Sequence, residues 1–160
     1  VIPTGEDLLI APADGKVIFV GEVQEDRYFK ERVTKISIFM SVFNVHINRV
    51  PCGGKVLDMY YNKGGFVNAS YDKASESNEQ AGILLETTGG AKILFVQIAG
   101  LIARRIVTYP VIGDLLQRGV RYGLIRFGSR VDIYLPKTAE VTVTLGEHTV
   151  AGETVLGTLS

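Results

Sequence analysis

Apolar and polar positions alternate along this chain in short bursts, and glycines separate the bursts. A period of two marks a half-buried strand. On that basis strands are predicted over Leu8–Ile10, Gly15–Val23, Thr34–Phe39, Gly53–Tyr61, Ala81–Thr87, Lys92–Ile98, Leu124–Phe127, Val131–Leu135 and Glu140–Thr144. Gly-Gly pairs at 53–54, 64–65 and 89–90 supply turns where φ must be positive. Two stretches read as short helices instead. Leu101–Val107 spaces its apolar residues helically, and Ser41–Asn44 can start a helical turn. Asn68–Gln80 is a polar segment of loop composition, and its length suits a functional, lid-like loop better than a plain connector.

Composition supports this picture. Val, Ile and Thr make up 44 of the 160 residues, and β-branched side chains suit a pleated, half-buried surface. The expectation is a mainly β domain covering residues 1–160, with short helices. Seventeen Lys and Arg balance seventeen Asp and Glu, which argues against a nucleic-acid partner, since a phosphate backbone needs a basic surface. One cysteine, Cys52, permits no internal disulfide, and with two histidines no metal site is expected. The longest apolar run, Ala91–Ala103, contains Lys92 and Gln97 and falls short of the roughly 18 residues of a spanning helix. The chain opens on Val1 rather than Met, so an N-terminal membrane anchor ahead of it is left open.

One weak repeat stands out. Gly113-Asp114 to Gly119 resembles Gly146-Glu147 to Gly152, each a glycine, an acid and a second glycine at the same spacing. Such turns look like the hammerheads of biotinyl- and lipoyl-carrier barrel-sandwich domains, and the likeness implies a flattened β-barrel of barrel-sandwich type. A carrier needs a modifiable Lys in a tight hairpin, and neither turn holds one at its centre.

The chemistry concentrates in three segments. Arg126-Phe127-Gly128-Ser129-Arg130-Val131-Asp132 lies between two predicted strands, and a Ser after a Gly can bring its Oγ onto the preceding carbonyl. Pro12-Ala13-Asp14-Gly15 puts an acid at a turn, and Ser41–Pro51 sets His46 among Val and Ile. Taken singly these are a hairpin turn, a good Asp-Gly turn and a core imidazole. Together, Ser129, His46 and Asp14 are the types needed for a nucleophile, a base and an orienting carboxylate.

These three blocks, in this order, resemble the phosphatidylserine decarboxylase family. Matches at Asn68-Ala69, Asp72-Lys73-Ala74-Ser75, Asn78-Glu79, Gln97–Gly100 and Arg104-Arg105-Ile106 support the likeness, which runs from Asp7 to the end. It is nearest the short, archaeal-type branch. The longer branch has Leu-Gly-Ser-Thr where this chain has Phe-Gly-Ser-Arg, and a second His where this chain has Arg49, so base duties fall to His46 alone. The resemblance implies a zymogen cut between Gly128 and Ser129 into a β chain, 1–128, and an α chain, 129–160. It implies that Ser129 becomes a covalent pyruvoyl group, the only cofactor. Through a Schiff base that group would convert phosphatidylserine to phosphatidylethanolamine at a membrane surface, on the cytoplasmic face of a prokaryotic cell membrane, in a homodimer. Arg49, Arg104, Arg105 and Arg130 are candidates for the substrate phosphate, and Phe43 and Phe66 for dipping into the bilayer. Two other functions fit the residues: a non-catalytic lipoyl- or biotinyl-like β domain, and a serine hydrolase using Asp14, His46 and Ser129. Against the hydrolase, no Gly-x-Ser-x-Gly elbow is present. Leu156-Gly157-Thr158 is a decoy for the cleavage site, since cutting there would release only a stub.

Overall fold

The computed structural model describes residue 5 and residues 7–40, 46–64, 78–100, 106–125 and 128–159, with the backbone alone for His46. Among these lie fourteen strands: β1 (Leu8–Ile10), β2 (Gly15–Glu25), β3 (Glu31–Phe39), β4 (His46–Arg49), β5 (Gly54–Asn62), β6 (Gln80–Glu86), β7 (Lys92–Ile98), β8 (Ile106–Thr108), β9 (Leu115–Leu116), β10 (Arg121–Ile125), β11 (Arg130–Leu135), β12 (Glu140–Val141), β13 (His148–Thr149) and β14 (Val155–Thr158). Eight form one strongly curled antiparallel sheet in the order β13-β2-β3-β11-β7-β6-β5-β9. Two three-stranded sheets, β1-β14-β12 and β4-β10-β8, accompany it.

The period of two explains the core. Val17, Ile36, Ile38, Val56, Ile83, Leu85, Ile93, Phe95, Val131, Ile133 and Leu135 form one buried cluster with residues of the small sheets, such as Leu9, Tyr122, Ile125 and Leu156. The intervening positions Leu84, Leu94, Val96 and Ile98 form a second cluster on the other face, covered by Tyr28, Phe29, Tyr60 and Tyr134. The mainly β expectation holds, and the eight-stranded sheet curls into a half-barrel. The expectation of short helices does not hold: no helix occurs among the described residues, and Ile106 and Val107 belong to β8, paired with Ile125 and Leu124. Seven residues are too few for a 3.6 period to outweigh a strand partner. Residues 101–105 and 41–45 lie outside the described residues, as does 68–77 of the polar loop.

The repeat in the sequence is a repeat in the fold. Gly113 and Gly146 donate their amides to the carbonyls of Val56 and Val17, and Asp114 and Glu147 accept from the amides of the same two valines. Gly119 donates to Val50 and Gly152 to Ala11. The segments these turns clasp share a pattern, Pro12-x-x-Gly15-Lys16-Val17 and Pro51-x-x-Gly54-Lys55-Val56. They cross-link reciprocally: the Ile10 amide donates to Pro51 and the Arg49 amide to Pro12, both at 2.9 Å. The correspondence relates β1–β3 with β11–β14 to β4–β10 by an approximate internal two-fold.

The two halves differ where the β6–β7 turn of one corresponds to the β3–β11 end of the other. In the second half a tight turn joins β6 to β7, closed by the Thr87 amide on the Ala91 carbonyl at 2.8 Å. In the first half the same bond runs from the Met40 amide to the Ser129 carbonyl, also at 2.8 Å, but no turn connects the two residues. Met40 leads on toward β4, and Ser129 arrives from β10. Ser129 thus sits at an opened hairpin, on the first residue before the central strand β11.

Candidate active site at the opened hairpin

The ladder sets the site's coordinates. Lys16, Phe39, Arg130, Ile98, Gln80 and Asn62 lie in one row across five paired strands and β11. One step beyond that row come Gly15, Met40 and Ser129. Gly15 approaches so closely that a Cβ there would stand 2.2 Å from the Phe39 carbonyl oxygen. Asp14 follows at the same end of the sheet. His46, first residue of β4, pairs with Ile125, the last residue of β10 before Gly128 and Ser129. The backbone therefore carries all three candidates to one end of the molecule.

Their side chains are held differently. Ser129 is fully buried. Gly128 has φ +74°, and a Cβ there would meet nothing within 4 Å, so the backbone conformation rather than crowding calls for glycine. Asp14 is exposed, and its Oδ1 accepts the Ala151 amide at 2.7 Å, which ties it to the second Gly-acid turn. Asp14 makes no direct bond to Ser129. The His46 side chain, Phe43, Phe66, Arg104 and Arg105 lie outside the described residues.

The two remaining arginines are engaged inside the protein. Arg49 donates from Nη1 to the Gly119 carbonyl at 2.7 Å. Arg130 is 2% exposed and grips Asp132 with two nitrogens, Nε to Oδ1 at 2.9 Å and Nη2 to Oδ2 at 3.1 Å. Lys35 approaches the same carboxylate at 3.9 Å. This buried cluster, on the residue next to Ser129, was missed in the sequence. Its signal was the i, i+2 spacing of Arg130 and Asp132, which puts both on one face of a strand whose alternate residues are apolar. Asp132→Ala leaves the buried guanidinium without its carboxylate and is expected to cost about 3–5 kcal/mol. Denaturant unfolding checks this, and the pair Arg130→Met with Asp132→Leu should cost less than the single change.

A second buried network sits beneath the same end. Gln97 Nε2 donates to Asn48 Oδ1 at 2.9 Å, and Thr108 Oγ1 donates to Gln97 Oε1 at 2.7 Å. Asn48 Nδ2 in turn reaches the Met40 sulfur at 3.7 Å. These contacts clamp β4, which starts at His46, to β7 and β8. The thiol of Cys52, by contrast, is raised to about 12 by burial, so it offers no thiolate at neutral pH. Gly157 is a ladder residue of β14, facing Leu9 and Val141, which agrees with its rejection as a cleavage site.

Known proteins resemble this chain in sequence. A family model described as phosphatidylserine decarboxylase matches residues 1–157. A phosphatidylserine decarboxylase proenzyme from Syntrophotalea carbinolica is 70% identical over 151 residues, covering 94% of this chain and 71% of that protein. Proenzymes of the same name from Geotalea uraniireducens and Geobacter sulfurreducens are 57% and 60% identical over 159 residues, covering 99% of this chain and 74% and 72% of theirs. No solved structure matches. With an opened hairpin at Gly128–Ser129 and this likeness over nearly its whole length, the chain belongs to the phosphatidylserine decarboxylase family.

Proposed function

We propose that this protein cuts itself between Gly128 and Ser129, converts Ser129 to a pyruvoyl group and decarboxylates phosphatidylserine to phosphatidylethanolamine. The observation that carries the reading is the Met40–Ser129 bond at 2.8 Å. It holds the cleavage residue where the other half of the fold has a closed turn. Cutting there breaks no ladder. After cleavage β11 still pairs with β3 and β7, β13 with β2, and β14 with β1, so the α chain stays inside the β chain.

In the first step Ser129 Oγ attacks the Gly128 carbonyl carbon. The C–N bond breaks, the amine is freed and an ester joins Gly128 to Ser129. His46 takes the hydroxyl proton, and Asp14, fixed by the Ala151 amide, orients and stabilises the imidazole. Loss of the Ser129 α-proton then expels the Gly128 carboxylate. The resulting dehydroalanine tautomerises, takes up water and releases ammonia, leaving a ketone. That ketone supplies the electrophile for the substrate amine and the sink for the electron pair freed as CO₂ departs. His46 returns a proton to the substrate's α-carbon. Arg104 and Arg105 remain the phosphate candidates, because Arg130 and Arg49 are bound to Asp132 and Gly119. A lipid substrate puts the enzyme at a membrane surface, which we assign to the cytoplasmic face of a prokaryotic cell, and the resemblance implies a homodimer.

The test is a denaturing gel with intact-mass spectrometry. Two fragments are expected, 1–128 and 129–160, the smaller without an N-terminal amine. An unbroken chain with full turnover overturns the reading. His46→Ala is expected to slow cleavage roughly 10²–10⁴-fold, the usual worth of a positioned base. Cleavage and turnover at the wild-type rate would remove His46 from the mechanism.

A further inference from the structure

The row that contains Ser129 carries a buried carboxylate two strands away. Ser129 stands opposite Ala99, one step beyond the Arg130–Ile98 pair, and the Ala99 amide donates to the Glu79 carbonyl at 2.9 Å. Strand alternation gives the three side chains one direction. Val131 and Ile133, Phe95, and Ile83 and Leu85 belong to the main core, so Ser129, Ala99 and Glu79 take the core-side phase of their strands. Between Ser129 and Glu79 the row presents only the Ala99 methyl. Two strand spacings, roughly 10 Å, separate their backbones, a gap that a glutamate side chain and a small headgroup span together.

Glu79 is 7% exposed, and its Oε2 accepts a hydrogen bond from the Tyr61 hydroxyl. Its Oε1 is buried and has no hydrogen-bond partner among the described residues. Burying a carboxylate oxygen without a donor is costly, and proteins that keep one usually use it. The Glu79 backbone is pinned as well, since the neighbouring Asn78 donates from Nδ2 to the Ala99 carbonyl at 2.7 Å. The bond to Glu79 holds the Tyr61 phenol proton and raises that phenol's pKa. The carboxylate is thus already oriented by one hydroxyl, and its other oxygen has no donor among the described residues.

We propose that Glu79, oriented by Tyr61, is the anionic contact that receives the ammonium group of the phosphatidylserine headgroup when the substrate reaches residue 129. This rests on the decarboxylase reading above and adds to it a determinant of substrate recognition. A primary ammonium brings the donors that Oε1 lacks, together with the opposite charge.

The experiment measures binding rather than turnover. Wild-type protein is allowed to process fully, and its ketone is reduced to the alcohol with borohydride, so that the amine can bind but not react. Calorimetry then compares a soluble short-chain phosphatidylserine with the matching phosphatidyl-3-hydroxypropionate, which keeps the phosphate and carboxylate and lacks the amine. Wild type is expected to prefer the amine-bearing lipid at least tenfold, and Glu79→Gln, which keeps the shape and the Tyr61 contact, to erase that preference. Equal binding of the two lipids by wild type overturns the proposal without any variant, so poor folding of Glu79→Gln would not protect it. An unchanged preference in a folded, processed Glu79→Gln overturns it too. A wild-type chain that never cuts overturns both this and the decarboxylase reading, and the gel shows that before any binding is measured.

Discussion

Ser129→Ala is expected to remain one unbroken chain and to show no decarboxylation above background. The hydroxyl is the only atom that can attack the Gly128 carbonyl from this position, and without an ester neither the elimination nor the ketone follows. The fold should tolerate the change. Ser129 is tied into the sheet by its backbone carbonyl, on the Met40 amide at 2.8 Å, and alanine keeps that bond. Loss of the buried hydroxyl's contacts is expected to cost about 1 kcal/mol, far less than unfolding would take. A denaturing gel, an assay of released CO₂ and a thermal melt on one preparation check all three statements. Two fragments from Ser129→Ala would move the cleavage site elsewhere, and an uncut but active variant would separate the chemistry from residue 129 altogether.

Much of the architecture was legible because it rests on period two. β1 and β7 end where alternation and turn glycines put them, and β2, β3, β6 and β11 differ from expectation only at their ends. The two-residue strands β9 and β13 were not legible. They exist because the Gly-acid turns lay Leu115–Leu116 and His148–Thr149 against β5 and β2, and two residues carry no period. β4 escaped for another reason: its interior residue Asn48 is polar, buried in the amide network with Gln97, so it breaks the apolar alternation. The chemistry divided in the same way. Residue types at Ser129, His46 and Asp14 pointed to a nucleophile, a base and an orienting carboxylate, and the ladder register brings their backbones to one end of the fold. Partners far apart in sequence were invisible. Nothing local ties Asp14 to Ala151, whereas the Arg130–Asp132 pair had its signal in the i, i+2 spacing along one strand.

The internal two-fold makes a sharper experiment possible. Gly15 and Gly54 occupy equivalent places, and a Cβ on either would stand far inside contact distance of a backbone oxygen, 2.2 Å from Phe39 and 2.3 Å from Glu86. Gly15→Ala and Gly54→Ala must therefore each push a strand aside, and each is expected to lose about 1–3 kcal/mol or more of stability. Their effects on cleavage should differ. Displacing Phe39 moves the next residue, Met40, whose amide positions the Ser129 carbonyl. Displacing Glu86 moves Thr87 and the closed turn at the other end of the sheet, where no bond is cut. A misplacement of 1 Å at reacting atoms can cost about a hundredfold in rate. Gly15→Ala is thus expected to process at least about tenfold more slowly than Gly54→Ala, compared at a temperature where both are folded by circular dichroism. Equal slowing would mean that processing follows global stability alone. Wild-type rates in both would mean that the Met40–Ser129 bond does not set the attack geometry, and the opened hairpin would then be a vestige of duplication rather than the device that aims Ser129 at its neighbour.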